Sequence, residues 1–193
     1  MHADFSRHPF EWVPKARLKH VFVLLVLITV VIMVSLLMLG VPLVTKAAPA
    51  GILSFEFAGN LSKAQSMITS WGPKGQVYAG LNLGLDYLFL VAYSTTISLG
   101  CVLASRYLAK QNAYLGSVGN MLAWGQLVAA LLDGIENYAL IKILLGTDLS
   151  LWPVVALWCA APKFLIIVAG LAYFAIGIAV YVMTGRQGKE HAG

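Results

Sequence analysis

Residues 20–44 contain no aspartate, glutamate, lysine or arginine. A helix needs about 20 mostly apolar residues to cross roughly 30 Å of hydrocarbon. In lipid a spanning segment must satisfy its own backbone polar groups, so an isolated run of this kind reads as a transmembrane helix. Three further stretches, 77–108, 119–145 and 151–183, also qualify by length and apolar content. The sequence therefore predicts an all-α fold, a four-helix transmembrane bundle forming one membrane domain over residues 1–193. The tails 1–19 and 184–193 lie outside the spans. The second and fourth stretches exceed the minimum and are expected to tilt, kink or project, and Pro153 and Pro162 offer a kink in the fourth. Composition agrees, because 11% of residues are charged, against about a quarter in soluble domains.

Basic residues set the expected orientation. Arg7, Lys15, Arg17, Lys19, Arg106, Lys110, Arg186 and Lys189 fall on one side of the predicted spans, whereas Lys46, Lys63 and Lys74 fall on the other. The positive-inside rule then puts both termini in the cytoplasm, in a multi-pass protein expected in a bacterial inner membrane. The basic start, the apolar run and Ala48-Pro49-Ala50 also suggest a cleavable signal peptide. An apolar core of about 24 residues is too long for a signal h-region of about 7–15, so a retained anchor is expected. The net charge of +5 is absorbed by this topology, and no nucleic-acid partner is expected.

The loop 45–76 is the one sizeable connection, on the side opposite the termini. Leu61, Ala64, Ile68 and Trp71 recur in it at helical spacing, after a candidate N-cap at Asn60 and before a stop at Gly72-Pro73. This predicts a short amphipathic helix in the outer loop between spans one and two, lying on the membrane surface or capping the bundle.

Charged residues inside spans are rare and usually face the bundle interior. Here they are Asp86, Asp133, Glu136 and Lys163. At about 1.5 Å per residue all four lie roughly 13–18 Å below the outer boundary, so they are expected to meet. Gln126, Asp133, Glu136 and Asn137 share a face of the third span; Asn82, Asp86 and Tyr93 share one of the second. Trp152, Cys159 and Lys163 share one of the fourth. Three acids against one lysine leave a surplus, and uncompensated charge in hydrocarbon is costly. Protonation, a bound cation, a basic ligand or water is expected to meet it.

Most signatures of catalysis are missing, which leaves an enzyme acting on a bound ligand open. His2, His8, His20 and His191 lie in the tails or at a membrane edge, and there is no Walker loop, G-x-S-x-G elbow or H-E-x-x-H helix. No cofactor and no metal site are expected. Cys101 and Cys159 stand alone in apolar runs and read as core residues. Three classes of function are compatible with the cluster. The first binds a small amphipathic or cationic ligand among Asp86, Asp133, Glu136, Asn137, Lys163, Tyr93, Asn82 and Trp152, with Trp158 and Tyr87 as further aromatic walls. The second is an accessory subunit of a membrane complex, in which ion pairs set packing. The third is proton- or cation-coupled transport, which needs a homo-oligomer because four helices make a thin pathway. Membrane lipids are partners in each.

Leu85-Asp86-Tyr87-Leu88-Phe89 with Tyr93, followed by Leu132-Asp133-Gly134-Ile135-Glu136-Asn137, resembles a family of uncharacterised four-span bacterial membrane proteins. The likeness covers most of the chain after Leu53 and implies the bundle but no activity. Four spans with buried acids are also similar in architecture to the emopamil-binding (EXPERA) family of sterol-handling proteins, from which no residue role is transferred.

Overall fold

A computed structural model describes residues 8–190, with side chains described as far as residue 184. His2, Arg7 and His191, and the side chains of Arg186 and Lys189, lie outside the described residues. The described chain is helical, with no strand. It comprises α1 (Leu18–Gly40), α2 (Ile52–Glu56), α3 (Leu61–Leu108), α4 (Ala113–Leu144) and α5 (Leu151–Glu190), with a 3-10 turn at Val41–Leu43. Three of these helices are long and apolar enough to cross a membrane: the run Leu18–Leu43, α3, and α5 over Leu151–Thr184.

The third predicted span differs. α4 has the length for a crossing, at 32 residues, but not the apolarity. Asn120, Gln126, Asp133, Glu136, Asn137 and Lys142 break its hydrocarbon character. Most of these groups are turned inward rather than left facing lipid. Gln126 and Glu136 are 0% exposed, and Asp133 and Asn137 are 3% exposed.

α3 is the central element and packs on α1, α4 and α5, while α4 also packs along α5. Small residues allow the close approach. A Cβ on Gly177 of α5 would overlap Ala104 of α3, and one on Gly170 would overlap Gln126 of α4 and press on Ile97 of α3. The glycine-rich stretch of the last span therefore serves helix packing, as in other membrane bundles.

α1 is the outlier. The 18-residue window at its centre contains no buried residue, and its hydropathy averages 3.2. Two polar clasps hold it against α3: the Thr29 and Thr96 hydroxyls 2.8 Å apart, and Asn82 Nδ2 donating to the Leu36 carbonyl at 2.9 Å. Between α1 and α5 the rings of Phe22 and Phe174 meet at 5.3 Å.

The chain between α1 and the body of α3 folds over one end of the bundle. Asn60 caps α3 by accepting from the Lys63 amide at 2.9 Å. The helix is interrupted at Gly72 (φ 62°, ψ −178°), a conformation essentially restricted to glycine, and resumes with Pro73. Ala64, Met67 and Trp71 are buried with Leu43, Phe55 and Leu83. Trp71 Nε1 donates to the Leu43 carbonyl at 2.8 Å. Of the two placements open to this amphipathic segment, the structure shows the cap.

Candidate functional site: a lysine ringed by acids beside a lateral cleft

Lys163 reaches from α5 into the face that α4 turns inward. Its Nζ donates to Asp133 Oδ1 at 2.8 Å and lies 2.7 Å from Glu136 Oε2. Three and seven residues are the spacings that keep Asp133, Glu136 and Gln126 on one helical stripe, so the face predicted from spacing is the face observed. Tyr93 OH on α3 donates to the other Asp133 oxygen at 2.9 Å. Asp133 therefore links three helices. Asn137 Nδ2, one residue beyond Glu136, donates to Asp86 Oδ2 at 2.6 Å.

A fourth acid joins them. Glu56, the last residue of α2, places Oε2 3.6 Å from Lys163 Nζ, and its carboxyl is within hydrogen-bonding reach of Glu136. Both Glu136 oxygens and Glu56 Oε2 are buried without a hydrogen-bond partner of correct geometry. Burial pushes the Glu56 carboxyl above the usual carboxylate range, and Asp133 adds to this against the opposing pull of Lys163. Two carboxyls that close favour a shared proton. The sequence reading had no place for Glu56, although an isolated acid in the apolar stretch Ile52-Leu53-Ser54-Phe55-Glu56-Phe57-Ala58 is a signal of the same kind as Asp86. The count becomes four acids to one lysine.

Beside the network lies a cavity of about 650 Å³ between α1 on one side and α5 on the other. Glu56, Asn82, Asp86, Tyr93, Asp133, Asn137 and Lys163 reach its wall, and the remainder is apolar, including Met33, Leu36 and Leu37 of α1 and Ile167 and Leu171 of α5. Phe164, on the wall, stacks on Phe57 at 5.8 Å. The space left is a sideways cleft between two helices that scarcely pack on each other.

The candidate residues do not all gather here. Asp133, Lys163 and Tyr93 form one network and Asp86 with Asn137 a second pair on the same cavity wall, while Glu136, bound to Lys163, does not line the cavity. Asn82 lines the cleft but spends its amide donor on the α1 backbone. Trp152 stands away from the cleft, against Tyr138 at 5.6 Å. Trp158 is 73% exposed and Tyr87 donates to the Gly134 carbonyl; the aromatic wall is instead Phe89 and Phe164, the latter's ring 4.7 Å from Lys163 Nζ.

Hydrogen-bond accounting gives the site its chemical sense. The Lys163 ammonium, the Tyr93 hydroxyl and one amide hydrogen each of Asn137 and Asn82 are directed at protein acceptors. Asp86, half-buried on the cleft wall, keeps acceptor capacity beyond its contact with Asn137. Among the described residues no group of three or more His, Cys, Asp or Glu side chains is arranged to hold a metal ion. No family model, curated protein or solved structure matches the chain.

Proposed function

We propose that the chain is a four-span protein of a bacterial inner membrane, with both termini in the cytoplasm, that binds a small amphipathic or cationic molecule in the lateral cleft. On this reading α4 is the third span, made tolerable in lipid by burying its polar face against α3 and α5. One observation carries the proposal: beside the Lys163 network a further acid, Asp86, stands with Asn137 on the wall of a largely apolar 650 Å³ space. Binding sites for small molecules are mostly apolar, hold a few convergent polar groups and measure about 300–1,000 Å³. An amine or hydroxyl on the ligand would meet Asp86, and an apolar body would lie along α1 and α5.

The test is to purify the full chain in mild detergent and identify what comes with it by mass spectrometry. Asp86→Asn removes the charge at the wall, and Leu37→Trp, on the exposed cleft face of α1, narrows the space. Wild type should carry an enriched amphiphile that both variants lose by about tenfold, the loss of one charge-assisted contact. Equal retention by all three proteins would remove the basis of the reading.

A second reading has its own observation. Glu136 is 0% exposed and lies behind Lys163, away from the cleft, as expected of an ion pair that fixes which helices meet. For an accessory subunit of this kind, Asp86→Asn would raise thermal stability and change nothing that co-purifies.

A further inference from the structure

At the opposite end of the bundle from the outer loop, the start of α1 meets the end of α3 around a pocket of about 350 Å³. Lys15, Lys19, Arg106 and Lys110 line it with Tyr107, Leu103 and Ala16, and no acid is among the lining residues. None of the four cations forms an ion pair with a described residue: the ion pairs found are all those of Lys163. The C-terminal dipole of α3 offsets roughly half a charge, which leaves most of four positive charges uncompensated by the described residues lining this small space.

The pocket is built rather than incidental. The segment before α1 is folded down by Phe10 and Val13, each 7% exposed, and by fully buried Leu18, all in one core cluster with Val102 and Leu108. Lys15 and Lys19 are thereby carried to a fixed place opposite Arg106. Their field is felt nearby. His8, whose Nδ1 accepts from the Phe10 amide, is held below its ordinary value by burial first, then by Arg106 and Lys15, against the opposing effect of Glu11.

We propose that this pocket binds the phosphate of an anionic phospholipid in the leaflet on the side of the termini. The cations supply the phosphate contacts, as basic pockets at the ends of transmembrane helices do. Leu103 and Tyr107 supply the apolar edge, and the acyl chains continue along Val23, Leu24 and Leu27, each more than half exposed on α1. The site is independent of the cleft, and its test does not involve Asp86 or Lys163.

The full chain in detergent is exposed to equal amounts of phosphatidylglycerol and phosphatidylcholine, and retained lipid is counted by native mass spectrometry. Phosphatidylglycerol should be retained preferentially. Lys19→Gln and Lys110→Gln, both at exposed positions that folding does not depend on, should each lower its retention by about fivefold. Lys63→Gln, in the outer loop, should leave it unchanged. The titration of His8, followed by NMR, should move upward when phosphatidylglycerol binds, because a bound anion cancels the field acting on it. Equal retention of the two lipids, or no effect of Lys19→Gln and Lys110→Gln, would overturn the proposal. Displacement of the lipid by millimolar inorganic phosphate, with the same upward shift at His8, would assign the pocket to free phosphate and overturn the lipid.

Discussion

Lys163 has carboxyl groups from two other helices within 3.6 Å, and its removal strands all of them at once. Breaking a buried pair by deleting one partner typically costs about 3–5 kcal/mol. Lys163→Met should accordingly lower the thermal midpoint more than any single acid-to-amide change in the network. A midpoint equal to wild type in detergent would mean that the acids find other partners. Tyr93→Phe tests the link to α3: losing a hydrogen bond to a charged acceptor should cost about 1.5–3 kcal/mol. Glu56 makes the network pH-dependent. A carboxyl raised above its unfolded value contributes stability that is complete below that value, near pH 4.3 for glutamate, and is lost as pH rises through the folded value. Glu56→Gln cannot titrate. Its stability relative to wild type should therefore improve from about pH 5 to about pH 8, and a constant difference across that range would show that Glu56 is not raised. Asp86, Asp133, Glu136 and Lys163 were legible in the sequence because a charge in a predicted span has few places to go. Glu56 was not, since its position depends on a loop folding inward over the bundle, a tertiary event without a local periodic signal.

The helices themselves were legible to different degrees, and the reasons are local. The Asn60 cap and the break at Gly72-Pro73 were readable because a side-chain oxygen and a positive φ are properties of single residues. The faces of α4 were readable from spacing alone. Which helices approach most closely was not, because small residues permit contact without specifying a partner. The structure supplies that information at Gly177, where a Cβ would lie 3.0 Å from the Ala104 Cα. Gly177→Ala should push α5 off α3 and destabilise by about 1–3 kcal/mol. Gly84, which has nothing within 4 Å of a built Cβ, is the control: Gly84→Ala should be neutral or stabilising by up to about 1 kcal/mol, through helix propensity alone. Similar midpoints for the two variants would show that the α3–α5 contact is looser than the geometry implies. Cleft and packing are connected here, since the face on which α5 meets α3 borders the face it offers to the cavity.

Across the whole molecule, the bundle divides into a body of α3, α4 and α5 and an α1 that packs on α3 but scarcely on α5. The four-span topology has a direct test. Reporter fusions after residue 17, within residues 109–112 and after residue 184 should report one side of the membrane, and fusions at residues 59 and 147 the other; any other pattern would overturn the topology. The uneven apolarity of the helices also bears on how the chain enters the bilayer during synthesis. α1 can leave the insertion machinery alone, because nothing along its central window requires a protein neighbour. On the four-span reading proposed above α4 cannot, since its buried acids would be stable in hydrocarbon only once α5 has brought Lys163 to meet them. A nascent chain halted before residue 163 should therefore leave α4 exposed to aqueous labelling reagents, while one carrying all of α5 should shield it. Lys163 would then act first as the signal that commits the last two helices to the membrane as a pair.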